Sequence, residues 1–329
     1  TEVVIASAVR TPIGSFQGVF SSLSASDLCA VAIREAVKRA GAQPEQIEQA
    51  IIGNVISAGM GQAPARQAVI KAGLPVSTGA VTVNKVCGSG LQAVMYARRE
   101  ILIGDAEVLV AGGMESMTNA PYVLPAARGG YRMGNGKLID TMIHDGLWDP
   151  YSDQHMGKCG DLVAEEFGFT REDQDDFAKT SYERALAAQK EGRFKEEIVP
   201  VSVPQRRGEP LLVDEDEEPT RVKLDKMGGL RPAFSKEGTV TAANASTINH
   251  GAAALVVCSG AAAERHGYSS LARIVGDAGA AVEPEWVTIA PVHALASRYE
   301  KTGSKPGDWD LYEINEAISG VTMAATKEH

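Results

Sequence analysis

The chain has few aromatic residues, no excess of positive charge and no long apolar run, and each shortage excludes a class of protein. Aromatic residues make up 5% of the 329 residues, and the formal net charge is −10. An acidic chain is a poor match for a general nucleic-acid or anionic-membrane binder. No apolar run approaches the ~20 residues that span a bilayer. We therefore predict a cytoplasmic protein with no nucleic-acid partner and no membrane partner.

Cysteine is scarce as well, and the four cysteines are widely spaced. Cys29, Cys87, Cys159 and Cys258 form no Cys-x-x-Cys pair and no cluster with histidine. This spacing excludes a disulfide framework and a zinc site, so we predict no metal. Buried, reduced thiols are the ordinary state of such cysteines, although any one of them could still be a nucleophile.

Glycine, by contrast, is abundant, with 34 residues, and apolar strands alternate with amphipathic helices early in the chain. Strands are predicted at 2–9, 49–57 and 106–113, and helices are predicted after Ser24 and over 88–103. Continuous apolar strands of this kind indicate a largely parallel sheet that helices cover on both faces. The predicted fold class is therefore α/β.

The middle and the end of the chain depart from this alternation. Residues 118–244 begin with a Gly-, Pro- and Arg-rich stretch and include a helix capped by Thr170, and we interpret them as an insertion. Residues 294–309 then repeat the helix, glycine stop, proline turn and strand predicted for 32–47. We infer a duplicated α/β unit whose second copy is incomplete.

One short stretch, "VNKVCGSGLQAV" at 83–94, ends a predicted strand at Cys87 and begins a helix after two glycines. Free backbone N–H groups at a helix N-terminus stabilise an anion and lower the pKa of a thiol. Gly88 and Gly90 would allow a tight turn and give a substrate access to the sulfur. The alternatives are a structural cysteine beside a packing turn and a phosphate-binding loop. The phosphate loop is less favoured, because no Gly-Lys-Ser/Thr follows.

Longer segments follow in a fixed order: "VNKVCGSGLQAV", "GDAEVLVAGGMESMTNAPY", "YRMGNGKLIDTMIHDGLWD", "LRPAFSKEGTVTAANAS" and "YEINEA". In this order and spacing they resemble the thiolase family, in particular its acetyl-CoA acetyltransferases. The resemblance implies a thiolase-like layered α/β/α/β/α fold of duplicated units, the second incomplete, with an inserted loop domain. The implied domains are an N-terminal domain at 1–117 and 245–270, a coenzyme A-binding loop domain at 118–244 and a C-terminal domain at 271–329.

The resemblance also implies a function, the condensation of two acetyl-CoA to acetoacetyl-CoA and the reverse thiolysis through an acyl-cysteine. Cys87 matches the nucleophile, and Asn315 matches the asparagine that holds a water in the oxyanion hole. The expected coenzyme A and acyl-pocket residues are Leu147, His155, Met156, Arg221, Phe234, Ala242, Ser246, Ala317 and Ile318. Acetyl-CoA, acetoacetyl-CoA and coenzyme A are the implied substrates, with no cofactor, in a homodimer or homotetramer. From the residues alone, His155 could equally be a satisfied histidine at a helix start.

Some positions depart from the family pattern. The family's Gly-His-Pro histidine and second catalytic cysteine follow the "NEA" motif, and residues 318–329 offer no candidate for either. Thr247 replaces a glycine, His250 replaces an aspartate and Ile318 replaces a phenylalanine, all at positions expected to line the cavity. An alternative is therefore a truncated, non-catalytic subunit that binds coenzyme A or a partner. A third possibility is a related condensing or lipid-carrier thiolase that takes larger acyl groups.

Overall fold

The computed structural model describes residues 1–329 and contains thirteen strands and nine helices. The strands are β1 (Val3–Arg10), β2 (Gly14–Ser15), β3 (Gln49–Gly53), β4 (Gly79–Val83), β5 (Val108–Ser116), β6 (Tyr122–Val123), β7 (Ile139–Asp140), β8 (Trp148–Asp149), β9 (Gln154–His155), β10 (Val201–Val203), β11 (Leu211–Val213), β12 (Asn249–Ser259) and β13 (Ala272–Arg273). The helices are α1 (Ala25–Ala40), α2 (Pro64–Ala72), α3 (Ser89–Ile103), α4 (Thr141–Gly146), α5 (Gly157–Phe167), α6 (Arg171–Lys190), α7 (Gly260–His266), α8 (Ala290–Thr302) and α9 (Ser319–Glu328). No helix combines the length and the apolarity that crossing a bilayer requires.

The chain divides into two compact units. The first unit comprises Thr1–Gly146, Gly192–Glu218 and Ile248–Val275, and the second comprises Leu147–Glu191, Pro219–Thr247 and Gly276–His329. The division into an N-terminal, a loop and a C-terminal domain expected from the sequence stays a prediction.

A seven-stranded sheet forms the centre of the first unit, in the order β13-β1-β12-β5-β3-β4 with β2 beside β12. Only β3 pairs in parallel, with β4 and with β5, whereas β12 lies antiparallel to both β1 and β5. The prediction of a largely parallel sheet is therefore wrong. The sheet is mixed because a strand about 240 residues downstream of β1 in the chain enters between β1 and β5, and long-range topology sets its direction.

Helices cover both faces of this sheet, as predicted. Successive side chains of a strand point to opposite faces. In β5, Val108 and Val110 join the core beneath α1, while Leu109 and Ala111 join the core beneath α3. These side chains are nearly inaccessible to solvent. The α/β fold class is confirmed for this unit.

Local signals at the helix ends also act as the sequence indicates. Ser24 caps α1 and exchanges hydrogen bonds with Asp27 in a complete capping box. Pro64 occupies the first turn of α2, where its missing N–H has no helical partner to lose. These ends fix where α1 and α2 start against the sheet.

The acidic run at 214–218 packs onto the first unit instead of extending into solvent. Asp216 pairs with the Arg10 guanidinium at 2.7 and 2.9 Å and accepts the Ile13 N–H at 2.8 Å. Glu217 accepts the Ser15 N–H at 2.9 Å. The run therefore connects the segment Gly192–Glu218 to the loop between β1 and β2.

The second unit is largely helical and contains α5, α6, α8 and α9. Thr170 caps α6 with Asp173 in a second complete capping box, as predicted. In the repeated segment, α8 ends at a left-handed Gly303 and a short 3-10 turn follows at Pro306–Asp308. The strand predicted after that turn is absent, because residues 309–314 pair with no other strand. The repeat is therefore complete in its helix and turn only.

Candidate active site

Cys87 lies in the connection between β4 and α3 of the first unit, two residues before the helix begins. Of the four cysteines it alone is exposed, whereas Cys29, Cys159 and Cys258 are buried. A thiolate must reach its electrophile to react, so exposure separates Cys87 from the other three.

The tight turn before Cys87 is made by Val86 and not by the glycines. Val86 has a φ of 47°, in the left-handed region that β-branched residues rarely adopt, and such strain costs about 1–3 kcal/mol. Gly88 has a φ of −86°, which any residue can adopt. The prediction that Gly88 and Gly90 provide the turn is therefore wrong. Val86 was not predicted to be left-handed because such a position normally carries glycine or asparagine.

A glycine outside the turn is the one that the geometry requires. A side chain at Gly53, the last residue of β3, would place its Cβ 2.6 Å from the Ser89 carbonyl carbon and 2.7 Å from the Gly90 nitrogen. By contrast, a Cβ at Gly90 would meet Gly112 at 3.9 Å, an ordinary contact. Gly53 thus allows the first turn of α3 to lie directly on the sheet.

A half-buried carboxylate lies on the same side of the sheet as Cys87 and was also missed. Glu115, in β5, accepts the Val55 N–H and the Asn54 side-chain amide, both at 2.9 Å. Burial raises the pKa of Glu115, and these hydrogen bonds partly oppose the rise. The only sequence signal was the "GGMES" segment, which contributed to the resemblance without assigning the residue a role.

The pKa of the Cys87 thiol is raised, contrary to the expectation from its position at a helix N-terminus. Although the residue is exposed, neighbouring atoms remove part of the water around its sulfur, which is the largest cause, and the negative charge of Glu115 adds to it. The Cys87 backbone N–H opposes both effects without outweighing them. These surroundings therefore favour the thiol over the thiolate at Cys87.

The two departures at 247 and 250 differ in their surroundings. His250 is 1% exposed within β12, and its Nε2 lies 2.6 Å from the Thr118 hydroxyl. Burial is the main cause that lowers the pKa of His250. The expectation that His250 lines a cavity is wrong, because the sheet encloses its ring. Thr247 is half-buried.

In the second unit, a hairpin of β8 and β9 presents His155 beside Phe234. The two rings stack with centroids 4.5 Å apart, and the Gly157 N–H donates to His155 Nδ1 at 3.0 Å. Burial lowers the pKa of His155, which favours the neutral ring, and acceptance at Nδ1 places the proton of that ring on Nε2. His155 is thus both a satisfied residue at the start of α5 and one wall of an aromatic pair. Leu147 and Met156 close the hairpin through a backbone bond of 2.9 Å.

Other expected binding residues meet at the start of α9. The Ser246 N–H donates to the Ala317 carbonyl at 2.9 Å, and Ala245 forms a bridge with Ile318. Ile318, Ala317 and Phe234 belong to one apolar cluster. Gly157 and Gly160 allow it to form, because a Cβ at either position would collide with Phe234 or Ile318.

The remaining predicted residues lie at the surface. Asn315 is exposed, and its side chain makes no hydrogen bond. The neighbouring Glu316 accepts the Ser181 hydroxyl at 2.6 Å, so this carboxylate fixes the loop to α6. Arg221 and Ala242 are also exposed. The structure therefore joins His155 to Phe234 and Ser246 to Ala317.

Comparison with known proteins decides the family. The family model described as "Thiolase, N-terminal domain" matches residues 3–261, and the one described as "Thiolase, C-terminal domain" matches residues 268–329. The chain belongs to the thiolase family. The expected thiolase fold is confirmed by the solved structure titled "Crystal structure of Acat5 thiolase from Ascaris suum in complex with coenzyme A". Its TM-score is 0.95 at 43% identity, over 100% of this chain and 84% of that one.

Similar thiolases are named for one activity. An acetyl-CoA acetyltransferase of Cupriavidus necator is 52% identical over 329 residues, covering 100% of this chain and 84% of the relative. One of Pseudomonas aeruginosa is 49% identical, covering 99% of this chain and 84% of the relative. The expectation of a missing catalytic end is not borne out, since the C-terminal family model matches and the relatives are named as enzymes. The alternative of a non-catalytic binding subunit is not favoured.

Proposed function

We propose that this thiolase is an acetyl-CoA C-acetyltransferase that works through an acetylated Cys87. In the first half-reaction, the Cys87 sulfur attacks the acetyl carbonyl of acetyl-CoA. A C–S bond to the enzyme forms as the bond to coenzyme A breaks, and the thiol proton ends on the coenzyme A sulfur. In the second, the α-carbon of another acetyl-CoA, after losing a proton, attacks the acetyl group. A C–C bond forms as the bond between the acetyl carbon and the Cys87 sulfur breaks, acetoacetyl-CoA leaves and the Cys87 sulfur regains a proton.

One observation carries this proposal. The only exposed cysteine stands on a strained turn at the start of α3, in a chain about half identical over its whole length to acetyl-CoA acetyltransferases. Strained backbone conformations concentrate at functional sites. Neither half-reaction involves a net oxidation or reduction, so the Cys87 thiol and two thioesters are sufficient reactants. We therefore propose coenzyme A thioesters as substrates without a further cofactor.

The residues of the second unit are proposed to bind the substrate. Asn315, whose amide has no protein partner, would hold a water that supports the enolate oxygen. His155 keeps its Nε2–H available for donation because its Nδ1 already accepts from Gly157. The residues proposed to contact coenzyme A are Leu147, His155, Met156, Arg221, Phe234, Ala242 and Ser246, and those proposed for the acyl pocket are Ala317 and Ile318.

The test is thiolysis of acetoacetyl-CoA by the purified protein. Coenzyme A is added, and the reaction is monitored as the decrease in acetoacetyl-CoA absorbance. Turnover is expected in the unaltered protein and in Cys29→Ala, a matched control at a buried thiol. Cys87→Ala is expected to abolish turnover while the protein stays folded by circular dichroism. Turnover that survives in Cys87→Ala would contradict the proposal.

Assembly and compartment belong to the same proposal. A homodimer or homotetramer is supported by the edge strand β4, which leaves Val81 exposed, and by α3, which exposes Leu91 and Ile103. Sedimentation showing a monomer at micromolar concentration would contradict it. A cytoplasmic location suits a reactive, exposed Cys87, because the cytosol keeps thiols reduced. Recovery of the protein only from another cell fraction would count against it.

A further inference from the structure

The strained residue before Cys87 is not held in place by burial of its own side chain. Val86 is 41% exposed, and yet its φ is 47°. An exposed valine gains little from packing, so other contacts must offset the preference of a β-branched residue for negative φ. Those contacts are hydrogen bonds that residues 84–89 make around the turn.

Ser89 supplies two of those hydrogen bonds through one hydroxyl. Its Oγ donates to the Val86 carbonyl at 2.6 Å and accepts the Lys85 N–H at 2.8 Å. The Asn84 side chain accepts the Val86 N–H at 2.9 Å. Ser89 is 4% exposed, whereas Asn84 is exposed, so water competes less for the serine bridge. Two backbone bonds of 3.1 Å also close the turn, from the Ser89 N–H to the Val86 carbonyl and from the Gly88 N–H to the Lys85 carbonyl. Of the two side chains that bond to the turn, the buried Ser89 hydroxyl therefore makes the larger contribution.

The conformation of Val86 determines where the chain enters Cys87. If Val86 returned to an ordinary negative φ near −60°, the following peptide would rotate by about 110°. Gly53 fixes the backbone of Ser89 against β3, so the rotation would fall on residues 86–88. The Cys87 side chain would then leave its present exposed position.

We propose that Ser89 is a positioning residue for Cys87. Its buried hydroxyl joins the Lys85 N–H to the Val86 carbonyl, holds Val86 left-handed and so presents the Cys87 sulfur to the incoming thioester. The proposal rests on the proposed function, in which Cys87 takes the acetyl group. The two hydrogen bonds of its hydroxyl go to Lys85 and Val86, so Ser89 acts on Cys87 through the turn.

The experiment compares Ser89→Ala, Val86→Asn and the double variant with the unaltered protein. Asparagine adopts the left-handed region more readily than valine, so it removes much of the strain that Ser89 must offset. Two rate constants are measured: acetylation of Cys87 by acetyl-CoA in a single turnover, and alkylation of Cys87 by iodoacetamide. Because the other three cysteines are buried, peptide mapping assigns each modification to one sulfur.

Ser89→Ala is expected to slow acetylation by about 10²-fold, the size of effect that a misplacement near 1 Å produces. KM for acetyl-CoA should change less than about twofold, because no proposed coenzyme A residue is altered. In the double variant the rate should return to within about tenfold of Val86→Asn alone, since the strain no longer needs the hydroxyl. The rate of Cys87 alkylation should likewise fall in Ser89→Ala and recover in the double variant.

An unchanged acetylation rate in Ser89→Ala would overturn the proposal. So would an equal loss from Ser89→Ala in the Val86→Asn background, since Ser89 would then act independently of the turn. If Ser89→Ala alone unfolds, the double variant measured against Val86→Asn decides. Unaltered protein that is alkylated but never acetylated would contradict the proposed function instead. The alkylation rates of the variants would still test the positioning role of Ser89.

Discussion

Substitution of Gly53 by alanine should disturb the Cys87 turn by pushing β3 against the first turn of α3. The added Cβ would lie 2.6 Å from the Ser89 carbonyl carbon and 2.7 Å from the Gly90 nitrogen. Both are backbone atoms, so no side-chain rotation relieves the contact. To reach an ordinary separation of 3.4 Å, the first turn of α3 must shift by about 0.8 Å relative to β3.

That shift has two measurable consequences. Overpacking at a buried contact costs about 1–3 kcal/mol of unfolding free energy, which lowers the melting temperature by a few degrees. Displacement of a nucleophile by nearly 1 Å lowers kcat by up to about 10²-fold. We therefore expect Gly53→Ala to remain folded and to lose at least about tenfold in kcat for thiolysis, a loss larger than the change in stability implies.

Gly79→Ala is the matched control for this prediction. Gly79 lies in β4, paired with Gln49 of the strand that carries Gly53, and its added Cβ would meet nothing closer than the Gln49 side chain at 3.4 Å. Melting curves and steady-state thiolysis of both variants, prepared together, provide the comparison. The reasoning is refuted if Gly53→Ala keeps the kcat of the unaltered protein, or if Gly79→Ala loses as much.

Three further changes test the account. Gly90→Ala should keep or raise the melting temperature, because the added Cβ has room beside Gly112. A lower melting temperature would contradict the packing of α3 on β5. Lost activity with an unchanged melting temperature would mean that the substrate needs the space beside Gly90. Gly157→Ala should raise KM for coenzyme A thioesters severalfold by displacing the Phe234 ring; an unchanged KM would remove Phe234 from the site. Glu115→Gln removes a negative charge that raises the pKa of Cys87, so iodoacetamide should alkylate Cys87 faster at neutral pH. Slower alkylation would contradict the inference that Glu115 raises this pKa.

The sequence predicted the features that depend on neighbouring residues. Ser24 and Thr170 begin helices because each lies three residues before an aspartate that completes the capping box. Cys87 was singled out because a cysteine between a strand and a helix has a recognisable chemical environment. In each case the physical cause lies within a few residues of the signal.

Features set by distant residues were not predictable in the same way. The antiparallel entry of β12 between β1 and β5 depends on a pairing such as Val9 with Ala254, which leaves no local trace. The raised pKa of Cys87 depends first on the loss of water around its sulfur and then on the charge of Glu115, which β5 brings near the turn. The predictions of a largely parallel sheet and of a lowered Cys87 pKa were therefore wrong, because both came from local rules that tertiary contacts override.

The left-handed conformation of Val86 shows the same limit at one residue. Local preference places glycine at positive φ, and the two glycines nearby drew the interpretation away from valine. The conformation is held by the Ser89 hydroxyl and by the close approach that Gly53 permits. Such strain can be found only once the hydrogen bonds of the turn are known.

The central claim is that Cys87 takes an acetyl group from a coenzyme A thioester. Its most direct test is mass spectrometry of the purified protein after brief exposure to acetyl-CoA and acid quenching. The account predicts one added acetyl group per chain, carried by the peptide that contains Cys87 and absent from Cys87→Ala. An acetyl group on another residue, or none on a folded protein, would contradict it.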